Sequence, residues 1–288
     1  VASANAVEYC GGIPHFVDSD QKTLGINPEK LEKYLKSICL IKNKFCFNKK
    51  TKRKISALIA VHIFGHPCNI LKIKKICKKF RISLIEDAAE GIGSFYQQKH
   101  VGTFGKIGIL SFNGNKTITT GGGGALITNE KKIAKQAKLL SSTNKIPHAW
   151  KYDYGGVGYN YRLPNINAAI GIAQLNSLNK ILKAKRNLFY KYKKELKKID
   201  GINLFEEPKY CKSNYWLNTI LLKKSSFYIR NYIINKINKE GIQARPCWKL
   251  LHRLKHFYKC PSMNLEGAKK LEMKIINIPS SPIYGEYK

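Results

Sequence analysis

Residues 84–130 read LIEDAAEGIGSFYQQKHVGTFGKIGILSFNGNKTITTGGGGALITNE. Three short apolar runs punctuate this stretch, each closed by polar or glycine residues. Ile82–Ile85 leads into Glu86-Asp87, Ile107–Phe112 into Asn113-Gly-Asn-Lys116, and a run of four glycines, 121–124, into Ala125–Thr128. Runs of this length, mainly apolar and bounded by turn signals, predict strands buried on both faces.

Helical patterns separate these strands from their neighbours. Asn27-Pro28 predicts an N-cap and first helical position for a helix through Leu35. Ile55–Val61 predicts a further buried strand, and Asn69 a cap for a helix to about Phe80. Asn129 predicts a cap for a helix to Leu140. After Pro164 comes a long helical stretch from Asn165 to Leu196, very basic in its second half. A strand at Trp216–Leu222, a helix at Phe227–Lys239 stopped by Gly241, and a last helix near Leu265–Ile275 complete the reading. Alternating strands and helices predict an α/β architecture with a mostly parallel sheet. The change of pattern places a boundary inside the long helix, giving a large domain over 1–185 and a small α+β domain over 186–288.

In open α/β sheets, ligands bind at the carboxyl ends of the strands. Asp87 stands at one such end and Lys116 just beyond another. A lysine amine and a carboxylate in this relation suit pyridoxal 5'-phosphate. The amine bonds to the cofactor aldehyde, and the carboxylate keeps the pyridine nitrogen protonated. Ser111 offers a hydroxyl to the phosphate. Singly, each residue has a plainer reading. A lysine in a polar loop is usually solvated, and an aspartate after a strand is more often a helix cap. The glycine run is followed by a strand rather than a helix, so a dinucleotide or P-loop reading fails. It predicts a turn that lets backbone pass close behind Lys116.

Composition narrows the alternatives. The 288 residues carry 52 Lys+Arg against 18 Asp+Glu, a formal net charge of +34. Lysine dominates that charge, whereas nucleic-acid recognition favours the planar fork of arginine. The basic residues are scattered along exposed helix faces, as at Lys72, Lys74, Lys75, Lys78 and Lys79. No specific nucleic-acid partner is expected, although such charge attracts polyanions weakly. The eight cysteines form no Cys-x-x-Cys pair, so free thiols in a reducing cytoplasm are expected rather than a metal site. No apolar stretch is long enough to span a bilayer, and no membrane partner is expected.

The segments 57–70, 84–130, 158–175 and 241–252, with the opening SANAVEYCGGIPHFVDSD (3–20), resemble the DegT/DnrJ/EryC1/StrS sugar aminotransferases. That resemblance implies the pyridoxal-phosphate-dependent transferase type I fold. It matches Lys116 to the Schiff-base lysine, Asp87 to the partner of the pyridine nitrogen, and Ser111 to the phosphate-binding serine. Glu90 falls near the ring hydroxyl, where many members have glutamine. Asn160 matches an asparagine that reaches the phosphate of the neighbouring subunit's cofactor, which implies a homodimer with shared active sites. Taken without the resemblance, Asn160 and Arg162 read as a turn ahead of Pro164 and the long helix.

The motifs EDAAE, NKTITTGGGG and GYNYRLPNINAA resemble a branch acting in legionaminic acid and related bacterial amino-sugar pathways. The implied reaction moves an amino group from glutamate to the 4-keto carbon of a nucleotide-linked 6-deoxy sugar. Family members carry an N-terminal portion ahead of the segment matching Val1, including a Gly-Thr phosphate loop, so the chain is expected to be N-terminally incomplete. Two alternatives stand beside this reading. One is an aminotransferase for a non-sugar carbonyl. The other is an inactive, truncated relative serving as a basic binding module.

Overall fold

The computed structural model describes residues 1–286. Helix α1 (Ala2–Tyr9) opens the chain, and α2 (Pro28–Ile38) follows. The Asn27 side chain caps α2 by accepting from Lys30 N, as its place before a proline predicts. Strands β1 (Cys39–Lys42) and β2 (Phe45–Asn48) form an antiparallel hairpin that the sequence reading did not foresee. Next come β3 (Ala57–Val61), α3 (Ile70–Lys79), β4 (Ser83–Asp87), the short β5 (Phe95–Tyr96) and β6 (Lys99–His100), β7 (Ile107–Ser111) and β8 (Gly124–Ile127). Helix α4 (Lys131–Ser141), the two-residue strands β9 (Lys145–Ile146) and β10 (Asp153–Tyr154), and the 32-residue α5 (Asn165–Leu196) continue the chain. The last third holds β11 (Ile202–Leu204), β12 (Cys211–Lys212), β13 (Asn218–Leu222), α6 (Phe227–Lys239), β14 (Arg245–Pro246), α7 (Glu266–Glu272) and β15 (Ile275–Ile278).

The central sheet runs β3-β4-β7-β8. Strands β3, β4 and β7 are parallel, and β8 returns antiparallel to β7. The apolar runs do form the parallel part, but they are not buried on both faces as expected: only Ala60 of β3 and Gly108 of β7 are buried, and Ile109 is exposed. On one side, Ile70, Ile73, Ile76 and Cys77 of α3 pack with Leu31 and Leu35 of α2 into a single apolar cluster with Ala60 and Leu84. The glycine run closes the β7–β8 turn. Gly123 holds φ at +103°, and a side chain on Gly124 would meet Leu110 O. The close approach these glycines permit is therefore to β7, not to Lys116 as the sequence reading had it.

A second sheet, β11-β13-β15-β14, is wholly antiparallel and packs against α6 and the second half of α5. Here the sequence reading needs correction. The helix expected near Leu265–Ile275 ends at Glu272, and Ile275–Ile278 is a central strand buried at every position. The expected cap of α4 also shifts by one residue, from Asn129 to Glu130. The residue 185/186 boundary lies within the unbroken α5, and β12 pairs across it with β5. No helix is long and apolar enough to cross a membrane among the described residues.

Candidate active site

Adjacent parallel strands bring the site together. Asp87 of β4 stands in register with Ile109 of β7, so the loops leaving both strands meet at one end of the sheet. Asp87 Oδ1 accepts from Ala89 N at 3.1 Å, and Oδ2 accepts from the Ser3 hydroxyl at 2.6 Å. Ser3 lies on α1, and the sequence reading gave it no role.

Lys116 sits in a turn in which its own N–H donates to Asn113 O at 3.0 Å. Its Nζ lies 3.5 Å from Glu90 Oε1 and 4.2 Å from the centroid of the Trp216 ring. The other oxygen of Glu90 accepts from Phe64 N at 2.8 Å. The lysine amine is therefore bracketed by a carboxyl group and an indole face. Burial raises the Glu90 carboxyl to about 7, the Asp87 charge adds to the effect, and Lys116 opposes it. Glu90 thus feels both sequence-identified residues, and the structure brings the three near one another.

Two neighbours hold this arrangement. Glu86, fully buried, accepts from Gly102 N at 2.8 Å, from Phe104 N and Gly105 N at 2.6 Å each, and from His62 Nε2 at 3.1 Å. Cys68 N donates to His62 Nδ1, which assigns the ring proton to Nε2. Burial opposes the charge on Glu86, but the His62 bond and the backbone donors outweigh it and hold its carboxyl below the ordinary range. The strand end that carries Asp87 is fixed by this clamp. Asn214 is the second support. Its amide nitrogen reaches Glu90 O and Ile92 O at 2.8 Å and Thr117 Oγ1 at 3.1 Å, and its oxygen accepts from Trp216 N at 2.8 Å. Trp216 is fixed in turn by Nε1 donating to Asn115 O at 2.7 Å.

Beside Lys116 opens a cavity of about 740 Å³ whose walls include Thr117, Lys185, Trp216, Arg245 and Asn277. Lys185 is buried and donates to Trp216 O at 3.3 Å and Ser280 O at 2.6 Å. Burial lowers its ammonium to about 8. A signal for Lys185 was present in the sequence: it falls on the apolar stripe Ile181, Ala184, Leu188 of α5, where a lysine is out of place.

Among the described residues, none of the other sequence-identified residues bonds to the lysine side chain. Ser111 ends β7, and its hydroxyl lies 3.4 Å from Asn113 N. Asn160 is exposed, and its backbone bridges Ser142; Arg162 is exposed as well. In the stretch of chain about Asn160, Trp150, Tyr152, Val157, Tyr161, Ile166 and Ile172 all stand out to solvent. Among the described residues, no group of three His, Cys, Asp or Glu side chains converges as a metal site would require.

Comparison with known proteins places this architecture. EpsN of Bacillus subtilis, whose name contains the words pyridoxal phosphate-dependent aminotransferase, is 38% identical over 253 residues. The match covers 88% of this chain and 62% of EpsN, so the chain spans less than two thirds of that relative. GDP-perosamine synthase of Escherichia coli O157:H7 is 34% identical over 284 residues, 98% of this chain and 71% of that protein. Helicobacter pylori PseC, an aminotransferase involved in pseudoaminic acid biosynthesis, superposes with a TM-score of 0.86 at 25% identity, over 98% of this chain and 72% of that one. The α/β fold is that of the sugar aminotransferases, as the sequence resemblance implied. Residues 1–286 match throughout, and the chain belongs to the DegT/DnrJ/EryC1/StrS aminotransferase family.

Proposed function

We propose that this chain provides the lysine-bearing site of a pyridoxal-phosphate-dependent aminotransferase. The reaction would pass an amino group from glutamate to the 4-keto carbon of a nucleotide-linked 6-deoxy sugar. The observation that carries the reading is the setting of Lys116. Its amine is largely shielded from water, opens onto the cavity, and is bracketed by Glu90 and Trp216. This donor set fits the cofactor: an amine for its aldehyde, a carboxylate at Asp87 for its ring nitrogen, and an acid at Glu90 near its ring hydroxyl. When bound, the cofactor supplies an electron-withdrawing ring that makes a proton on the neighbouring carbon labile.

The chain's own residues would do the rest. Lys116 Nζ carries a proton between substrate and cofactor carbons. Asp87, held by Ser3 and the Ala89 N–H, stays in place as the anionic partner of the ring nitrogen. Glu90 sets the charge around the lysine through its contact with Nζ. Ser111 would donate to the phosphate. Asn160 would serve the site of a second copy, which the exposed apolar surface around it favours as a homodimer face. The large cofactor-binding part would be 1–185 and the smaller part 186–288. The resemblance of EDAAE and NKTITTGGGG points the product toward legionaminic acid or a related amino sugar made in the cytoplasm.

Titration with pyridoxal phosphate, borohydride trapping and peptide mapping test the site, with label expected on Lys116 alone. Label on another lysine removes the assignment. Production of 2-oxoglutarate from glutamate with UDP-, GDP- or dTDP-linked 4-keto-6-deoxy sugars tests the substrate class. Turnover of non-sugar ketones alone would replace it.

A further inference from the structure

The β1–β2 hairpin plays no part in the site described above. Its register pairs Cys39 with Asn48, Leu40 with Phe47, Ile41 with Cys46 and Lys42 with Phe45. Directly opposed residues share a face, and faces alternate along each strand. Cys39, Cys46 and Asn48 therefore point inward and are buried, and both cysteines join the apolar cluster under α2 and α3. Leu40, Phe47, Lys42 and Phe45 make up the outward face. On it Leu40 is 53% and Phe45 46% exposed, whereas Ile41, paired with Cys46, belongs to the other face. Two large apolar side chains held open on one face of so small a ribbon mark a surface that meets something.

Charge says what it meets. Residues 42–54, KNKFCFNKKTKRK, contain seven basic residues and no acidic one. None of the seven forms an ion pair among the described residues, whereas Glu29 and Glu32 of the adjoining α2 are already paired with Lys72 and Lys79. Lys54 lies over the Phe45 ring, with Nζ 3.8 Å from its centroid, so its charge stays beside the apolar face. We infer that this hairpin docks the protein onto an anionic lipid surface, with Leu40 and Phe45 entering the headgroup boundary and Lys42, Lys44, Lys49, Lys50, Lys52, Arg53 and Lys54 meeting the phosphates.

Other occupants fit less well. A second copy of the hairpin would set seven like charges against seven. A nucleic acid would find one arginine among the seven cations and the apolar Leu40 at the centre. Lysines on flexible stems around an apolar centre suit a lipid surface, where stems lie along the apolar layer and ammonium groups stay wet. The sequence reading expected no membrane partner, and the outward face of the hairpin is what revises that expectation.

Co-sedimentation of the full chain with phosphatidylcholine vesicles, with and without phosphatidylglycerol, tests the proposal. Binding is expected only where phosphatidylglycerol is present, and is expected to weaken as salt is raised. Reversing two charges, Lys50→Glu with Lys52→Glu, should lower partitioning by about a hundredfold or more, at roughly fivefold for each unit of charge. Leu40→Ser with Phe45→Ser should lower it by roughly tenfold. An unchanged urea midpoint in both variants confirms that the hairpin still folds.

Equal binding to both kinds of vesicle, no binding to either, or binding untouched by the variants overturns the proposal. Retention of single-stranded RNA in the absence of vesicle binding overturns it in favour of a nucleic-acid surface. Self-association that either variant abolishes, again without vesicle binding, overturns it in favour of a second copy.

Discussion

Glu90 and Lys116 meet as an ion pair with 3.5 Å between Oε1 and Nζ, in a setting where the two side chains are only 11% and 13% exposed. The pair links two loops that leave different strands. A fixed carboxyl group thereby stands next to the amine proposed to bond to the cofactor.

The first prediction concerns pH. Burial raises the Glu90 carboxyl to about 7 from an ordinary value of 4.5. Between those values the folded chain holds a proton that the unfolded chain has released. The stability this confers is full below about 4.5 and falls as pH rises to about 7, by about 3 kcal/mol in total. Glu90→Gln removes the titrating group. The difference between parent and variant in urea-unfolding free energy should follow that decline; a pH-independent difference would contradict it.

Trp216 supplies an optical reporter of the same amine. In a Trp150→Phe/Trp248→Phe background, Trp216 is the one remaining tryptophan, with its ring against Lys116 Nζ. Adding pyridoxal phosphate should quench its emission, and Lys116→Ala should abolish the quenching. Trp216→Phe keeps a ring but loses the hydrogen bond to Asn115 O, at a cost of about 1 kcal/mol in stability. Emission unchanged by the cofactor would separate the indole from the cofactor lysine.

Gly65 should tolerate no side chain. Its φ is +88°, and a Cβ there would collide with Asn214 Oδ1. Gly65→Ala should destabilise the chain by about 3 kcal/mol or more, through backbone strain and displacement of the Asn214 amide. Calorimetry or urea unfolding reads this directly. An effect below about 1 kcal/mol would mean that Asn214 moves aside freely.

The proposed homodimer predicts a surface variant with a selective effect. Ile172 is 63% exposed in the half of α5 that lies beside the Asn160 loop. Ile172→Glu should shift the molecular mass measured by light scattering from two copies to one, while leaving the unfolding of the single chain within about 0.5 kcal/mol. An unchanged mass would move the dimer face elsewhere.

Particular residues show what the sequence could and could not reveal. Asp87 and Lys116 were legible because strand ends announce themselves as apolar runs that stop, and both follow such stops; Glu90 entered only through the family resemblance. Strand β15 was not. Four residues buried on both faces carry no alternation, and with Leu271 and Met273 before them they mimic a helical period. The β1–β2 hairpin was hidden by its turn. Asn43 and Lys44 both adopt positive φ, at 49° and 65°, a conformation usually announced by Asn-Gly. Ser3, Asn214 and Trp216 reach the site from distant parts of the chain, and no local pattern joins them to Lys116. Lys185 was read as one more cation in a basic helix, although its neighbours on the apolar stripe set it apart.

Helix α5 has a consequence of a mechanical kind. Its 32 residues form a rod about 48 Å long. The near end carries the exposed Ile166 and Ile170 on one face with Ile172 across from them, and about two thirds of the way along stands Lys185, clasped to the carbonyls of Trp216 and Ser280. A stiff beam anchored in this way cannot pivot at one end without swinging the other. Whatever seats against the near end therefore sets the tilt at which the wall beside Lys116 is presented, and crowding at that surface would be felt as a change of aperture at the cavity.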